Sequence, residues 1–301
     1  MDTDSLRLFV LAADKLNISA AGRKLGLAPA VASARLAKLE HALGADLLHR
    51  STRKVSLSQQ GAAFLPYARE MLAQEEAGLS ALGRGEETPK GVLRFTAPST
   101  FAQLYIAPIV HKFLARYPEI TLDLRLSDLV YDLIEGSFDL AIRNSALEDT
   151  SLKGRKLAED HRILCAAPSY LERRGTPQTP EELAGHDLVG FAGQEVKQLR
   201  GRNGAEGRFD PGLARNRLIV DDGASHKIAT VAGAGIAFSA VWNVHKELQS
   251  GALVRVLPEY DVDDGAVLWL IYPKSNELSA KVRVFMDFLI EEIGQAPAWK
   301  A

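Results

Sequence analysis

One cysteine in 301 residues leaves no partner for a disulfide within the chain. Cys165 stands in the apolar run RILCAAP, the setting of a buried strand residue rather than of an exposed nucleophile. No apolar run is long enough to cross a bilayer and no secretory leader pattern is visible, so a reducing cytoplasm without membrane attachment is the expected setting. The seven histidines, at 41, 49, 111, 161, 186, 226 and 245, follow no metal-ligand spacing, and no serine, histidine and acid set stands out. Neither catalysis nor a metal or other cofactor is therefore expected. AGAGIA at 232–237 resembles part of a dinucleotide loop, yet it follows a helical segment, and its glycines read as a turn.

Net charge is scarce as well: 36 Lys and Arg nearly balance 38 Asp and Glu, leaving −2. The balance is uneven along the chain. Residues 1–60 hold nine basic against five acidic side chains, +4, and the remainder 27 against 33, −6. A basic end on an acidic protein points to a polyanion partner for that end alone.

What the basic end contains is a pair of short helices followed by a hairpin. Ser19 precedes the apolar run Ala20, Ala21, Leu25 and reads as a helix N-cap. Gly26 marks a left-handed exit and Pro29 suits the first turn of the next helix, which together make a tight turn. In the second helix Ala32, Leu36, Leu39 and Leu43 share one face, expected to pack on Leu8, Phe9 and Leu16. The opposite face holds Ala30, Ala34, Ala37 and His41, with Lys38 beside them and Ser33 and Arg35 on the flanks. Small residues edged by a hydroxyl and cations can approach base edges, although a plain amphipathic helix in solvent would show the same edge. After Gly44, apolar Leu47, Leu48, Val55 and Leu57 bracket a basic tip, His49, Arg50, Ser51, Thr52, Arg53 and Lys54. That is a wing, whose cations reach phosphates or the minor groove.

This constellation resembles the LysR-type transcriptional regulators. The carrying residues are Phe9-Val10, Ser19-Ala20-Ala21, Leu25-Gly26-Leu27, Ala32-Ser33, Leu36-Ala37-Lys38-Leu39-Glu40, Leu43-Gly44, Leu47-Leu48, Arg50 and the step from Leu57-Ser58 to Gly61. The resemblance implies a winged helix-turn-helix over 1–58 that contacts double-stranded DNA through Ser19, Pro29, Ala30, Ser33, Ala34, Arg35, Lys38, Arg50, Thr52, Arg53 and Lys54. Family members commonly carry Ser-Gln-Pro at 28–30 and Arg at 34, where this chain has Ala28, Pro29, Ala30 and Ala34. Fewer polar base contacts and more thymine-methyl contact follow, so Arg35, Lys38 and the wing should carry more of the specificity.

Residues 59–88 form a linker. Leu65, Ala68, Leu72, Glu75, Leu79 and Leu82 alternate by three and four, a heptad seam broken only by Glu75. Leu65, Ala68, Leu72, Leu79 and Leu82 would pair two helices, although packing on the chain's own effector domain would use the same stripe. Pro66 places the helix start near Ser58, and GRGEETPKG at 83–91 marks a hinge. The resemblance implies a homodimer on an inverted-repeat operator, and assemblies of four chains, a homotetramer, are common in the family.

Residues 89–301 alternate strand and helix: GVLRFTAP, FAQLYIAPIVHKFLARYP, ITLDLRLSD, LVYDLIEG, DLAIR, then RILCAAP, DLVGF, NRLIVDDG, HKIATVAGAG, IAFSAV, VLWLIYP and LSAKVRVFMDFLIEEIG. This is an α/β region with a mainly parallel sheet, and ligands in such sheets sit beyond the carboxyl ends of strands. That rule selects Ser99, Thr100, Phe101, Asp128, Arg143, Asn144, Ser145, Asp222, Gly223, Ala224 and Ser239. The wording of APSTF, ARYPEI, LSDLVYDLIEGSFDLAIR and LAGHDLV resembles the LysR effector domain. Two Rossmann-like subdomains of periplasmic-binding-protein type are implied, 90–162 with 268–301 and 163–267, with a small-molecule effector between them. Hydroxyls and amides at Ser99 and Thr100 would suit a carboxylate, with Arg143 adding a bidentate contact, so a small organic anion is expected. Equally, Ser99 and Asp128 could be helix caps and Arg143 the partner of Asp139 or Asp222. An enzyme or solute-binding protein whose N-terminal region only dimerises is the competing class.

Overall fold

A computed structural model of the chain describes residues 2–50, 55–81, 89–128, 138–144, 152–202, 204–212, 215–262, 267–273 and 279–300. Three helices open it: α1 (Thr3–Lys15), α2 (Ile18–Lys24) and α3 (Pro29–Leu43). Asp2 caps α1 by accepting from the Ser5 amide, and Asn17 caps α2 by accepting from the Ala20 amide at 2.8 Å. Ser19 is therefore not the cap but the second residue of α2, because the longer Asn side chain two positions earlier reaches the first-turn amide. Gly26 and Gly44 take left-handed φ values of 68° and 66°, closing α2 and α3 as their positions predict. Leu8, Phe9, Ala12, Ala21, Ala32, Leu36 and Leu39 bury together as the core of this unit. Leu16 does not join them: it ends α1 in a left-handed conformation and is 48% exposed.

The wing follows as the antiparallel pair β1 (Leu48–Arg50) and β2 (Val55–Leu57). Its tip residues 51–54, including Thr52, Arg53 and Lys54, lie outside the described residues. Glu40 of α3 fixes the wing. Its buried carboxylate accepts from the Leu47 and Leu48 amides at 3.0 and 3.1 Å. Ser58 then starts α4 (Gln59–Ala81), its Oγ accepting from the Gly61 amide at 2.8 Å. A Cβ on Gly61 would lie 1.9 Å from the Leu47 carbonyl oxygen, so only glycine permits α4 to pass this close to the wing.

The seam on α4 divides in two. Leu65 and Ala68 are buried in the core with α1, and Leu72 packs against it, so these three serve the chain's own N-terminal unit rather than a partner helix. Glu75, the break in the apolar pattern, accepts from Thr3 Oγ1 at 2.7 Å and pairs with Arg7 at 2.6 Å. Leu79 lies beyond the reach of α1 and is exposed, as are Tyr67 and Met71 on another face; Leu82 lies outside the described residues.

The remainder folds on two five-stranded sheets. The first subdomain contains β3 (Gly91–Ala97), α5 (Ser99–Phe101) running into a π-type turn, α6 (Val110–Arg116), β4 (Ile120–Leu126), β5 (Leu140–Arg143) and β6 (Leu152–Glu159). The chain then crosses to β7 (Arg162–Ala166), α7 (Pro168–Arg174), β8 (Asp187–Phe191), β9 (Lys197–Gly201), β10 (Glu206–Phe209), β11 (Arg215–Val220), α8 (Gly223–Val231), β12 (Ile236–Ala240), α9 (Val241–Ser250), β13 (Val254–Val256) and β14 (Tyr260–Val262). It returns through β15 (Val267–Pro273) and α10 (Ala280–Leu289). Strand orders are β4-β3-β5-β15-β6 and β11-β8-β12-β7-β13, with a small β10-β9-β14 sheet packed on the second core.

Both sheets are mixed rather than mainly parallel. In the first, β3 runs parallel to β4 and β5 while β15 is antiparallel to β5 and β6; in the second, β7 is antiparallel to β12 and β13. The antiparallel strands are those beside the two crossings, where the chain enters from the other subdomain. Sequence reading missed β6, LKGRKLAE, because glycine and cations interrupt its alternation. One charge cluster joins the N-terminal unit to the first subdomain: Asp14 of α1 pairs with Arg69 of α4 at 2.6 Å and with Arg94 of β3 at 2.7 Å.

Candidate DNA interface and ligand cleft

Helix α3 presents Ala30, Ala34, Ala37, Lys38 and His41 to solvent, with Ser33 and Arg35 half-buried at its edges. No side chain caps its start: Ala28 precedes Pro29 and supplies no acceptor, so first-turn amides remain open. Open amides at a positive helix end favour an anion such as a phosphate. Arg35 meets Asp4 at 3.4 Å, a partly exposed pair that competes weakly with an incoming phosphate. Ser19 lies half-buried within α2, and the backbone of Arg50 ends β1.

Between the two sheets lies a cavity of about 340 Å³ whose walls come from both subdomains. It is lined by Pro98, Thr100, Asp128 and Asn144 from the first, and by Arg162, residues 191–195, Lys197, Gly223, His226, Phe238, Ser239, Ala240, Trp242 and Asn243 from the second. Of the residues chosen by the strand-end rule, Thr100, Asp128, Asn144, Gly223 and Ser239 line it. Phe101 instead is fully buried, with its ring edge-on to Trp242 and Trp299. Asp222 turns back to cap α8, accepting from the Ala224 and Ser225 amides at 3.1 and 2.8 Å; the Ser225 hydroxyl, together with these amides, holds its carboxyl below the ordinary carboxylate range. Ala224 spends its amide on that cap and is not part of the wall. Ser145 lies outside the described residues.

Arg143 also stays out of the cavity wall. It is 8% exposed, its Nη1 donates to the Ile142 carbonyl at 2.8 Å, and Nη2 has no partner among the described residues. Burial pulls its guanidinium below the ordinary pKa. The guanidinium in the cavity is Arg162 instead, held to Asp160 at 2.8 Å and lying over the Phe238 ring. Sequence reasoning missed the 191–195 turn and Asn243, although the first follows the carboxyl end of β8 and satisfies the same strand-end rule.

The expected carboxylate cradle is already engaged. Asp128 accepts from the Ser99 amide at 2.6 Å, from Ser99 Oγ at 2.9 Å and, across the cleft, from the Gly223 amide at 3.0 Å. Ser99 thus meets an internal carboxylate, which corrects the expectation that it faces a bound anion. Asn243 Nδ2 donates to the Gly223 carbonyl at 3.0 Å, and a Cβ on Gly223 would lie 2.9 Å from Thr100 Oγ1. Cys165 is fully buried in the second core and burial pushes its thiol up to about 12, which leaves it unreactive. Among the described residues no cluster of His, Cys, Asp and Glu could hold a metal, and no helix is long and apolar enough to cross a membrane.

Two family models match the chain. Residues 3–62 match the bacterial regulatory helix-turn-helix protein model of the lysR family, and residues 86–294 match the LysR substrate binding domain. The HTH-type transcriptional regulator CrgA of Neisseria meningitidis serogroup C (strain 8013) is 31% identical over 293 residues, 97% of either chain. The HTH-type transcriptional regulator DmlR of Escherichia coli (strain K12) is 31% identical over 95% of this chain and 92% of its own. Among solved structures, CrgA from Neisseria meningitidis superposes with a TM-score of 0.61 at 30% identity, covering 98% of this chain and all of that one. The full-length Vibrio cholerae virulence activator AphB gives 0.61 at 26% identity, covering 97% and 100%.

Proposed function

The chain belongs to the LysR family of transcriptional regulators, and from that premise we propose that a small molecule in the inter-subdomain cleft controls how a self-associated protein grips its operator. The carrying observation is the split wall of the cavity: a ligand touching both sheets favours one relative placement of the two subdomains. The Asp14–Arg94 pair offers a route from that placement to the helix-turn-helix.

On DNA, the small face of α3 lies against base edges while Arg35, Lys38 and the wing reach phosphate or guanine. Self-association supplies the two-fold symmetry for an inverted-repeat site. Exposed Tyr67, Met71 and Leu79 on α4 support pairing there, and among the described residues β4 and β11 are sheet edges that carry exposed Leu126 and Ile219. The named relatives above are transcriptional regulators, which supports a regulatory role.

The test is binding of the purified chain to its own upstream region at two salt concentrations. Affinity should fall steeply with salt and prefer that region over random DNA, and Arg35→Ala should lose about 1–3 kcal/mol and relax the consensus. An unchanged consensus for Arg35→Ala would remove that residue from recognition. A ligand that raises Tm yet leaves footprint and bending unchanged would refute control through the cleft.

A further inference from the structure

We infer that Asp128 is a built-in stand-in for a ligand carboxylate, closing the cleft from within and restricting the effector to a small molecule that offers hydrogen-bond donors instead of a carboxylate. The inference rests on the cleft being the effector site. Three donors converge on this one side chain, two from Ser99 at the start of α5 and one from Gly223 at the start of α8. Because α5 belongs to the first subdomain and α8 to the second, the carboxylate bridges the cleft as a bound anion would.

Of the groups left over, the Asn243 amide oxygen only accepts, while the Thr100 hydroxyl both accepts and donates. A carboxylate offers about four lone-pair directions, of which three are taken here. Thr100 Oγ1 and Asn243 Oδ1 are buried without a partner among the described residues, and both residues line the cavity. Arg162 is committed to Asp160, while Glu195 and Lys197 on the second wall offset one another in charge. An amine, amide or hydroxyl would answer Asp128 and Asn243; a carboxylate placed there would meet Asp128 at close range, where like charges repel.

Removing the side chain should uncover the cradle for a small anion. In full-length Asp128→Ala, sodium formate should raise Tm by about 3 °C or more over sodium chloride at equal ionic strength, while the wild type responds equally to both salts. Equal formate stabilisation of wild type and variant overturns the inference, as does a folded variant with no formate effect. If Asp128→Ala does not fold, Asp128→Asn keeps the volume and removes the charge. Hydrogen exchange at the Ser99 and Gly223 amides should then quicken in Asp128→Asn; unchanged protection at both sites overturns the bridge. DNA binding by the same variants separates the outcomes: its retention with no formate effect leaves the regulator reading standing and removes only Asp128's role.

Discussion

His226 and His186 are buried, and burial holds both imidazoles below their ordinary value of 6.5. For His226 the Val189 carbonyl and the Asp222 charge act the other way and do not prevail. The unfolded chain takes up a proton near 6.5 and the folded chain resists it, so protonation favours unfolding as pH falls below that value. Tm is therefore expected to drop between pH 7.5 and 5.5, and His226→Gln should flatten the drop; a Tm independent of pH in both proteins would contradict this. Asp222 acts in a lower window. Its depressed pKa contributes stability above the ordinary 3.8 that is lost as pH falls through the folded value.

At the level of elements, the junction of wing, α3 and α4 is fixed by two neighbouring residues of different kinds. Glu40→Ala strands two buried amides and should cost about 2–4 kcal/mol, read from denaturant unfolding of the N-terminal unit. Gly61→Ala forces α4 away from the Leu47 carbonyl, and a loss of DNA binding with the inter-subdomain cavity intact is the expected result. On α4 itself, the divided seam makes two substitutions separable. Leu65→Ala should cost about 2–5 kcal/mol of stability, whereas a Tyr67→Asp, Met71→Asp double variant should lower the oligomeric state in sedimentation with Tm little changed. A dimer that survives the double variant would place the contact elsewhere.

Across the whole molecule, Asp14 sits between Arg69 and Arg94, and Arg94's own amide donates to Asp139, which also pairs with Lys281 of α10. These contacts tie the N-terminal unit to the sheet that carries half of the cleft. Arg94→Gln keeps the backbone bond and removes the ion pair, so small-angle scattering should show a more extended particle and a change in operator affinity. Unchanged dimensions and affinity would mean that the pair transmits nothing.

Local pattern made much of this protein legible in its sequence. The left-handed glycines at 26 and 44, Pro29 at a first turn and the apolar face of α3 depend on neighbours a few residues away and were legible in spacing, whereas the α2 cap fell on Asn17 rather than Ser19. Strand ends likewise pointed to Thr100, Asp128, Asn144, Gly223 and Ser239. Other choices depended on partners distant along the chain. The stripe on α4 is the same whether it meets α1 or a second copy, and only packing assigned Leu65 and Ala68 to α1. Arg143 ends β5 and satisfies the carboxyl-end rule yet is buried outside the cavity wall, whereas Arg162 begins β7, escapes that rule, and lines the cavity. Sequence determined the elements and the family because hydrogen-bond caps and hydrophobic period are short-range. Tertiary structure alone decided that Asp128 takes the carboxylate cradle, because its three donors come from two helices separated by more than a hundred residues.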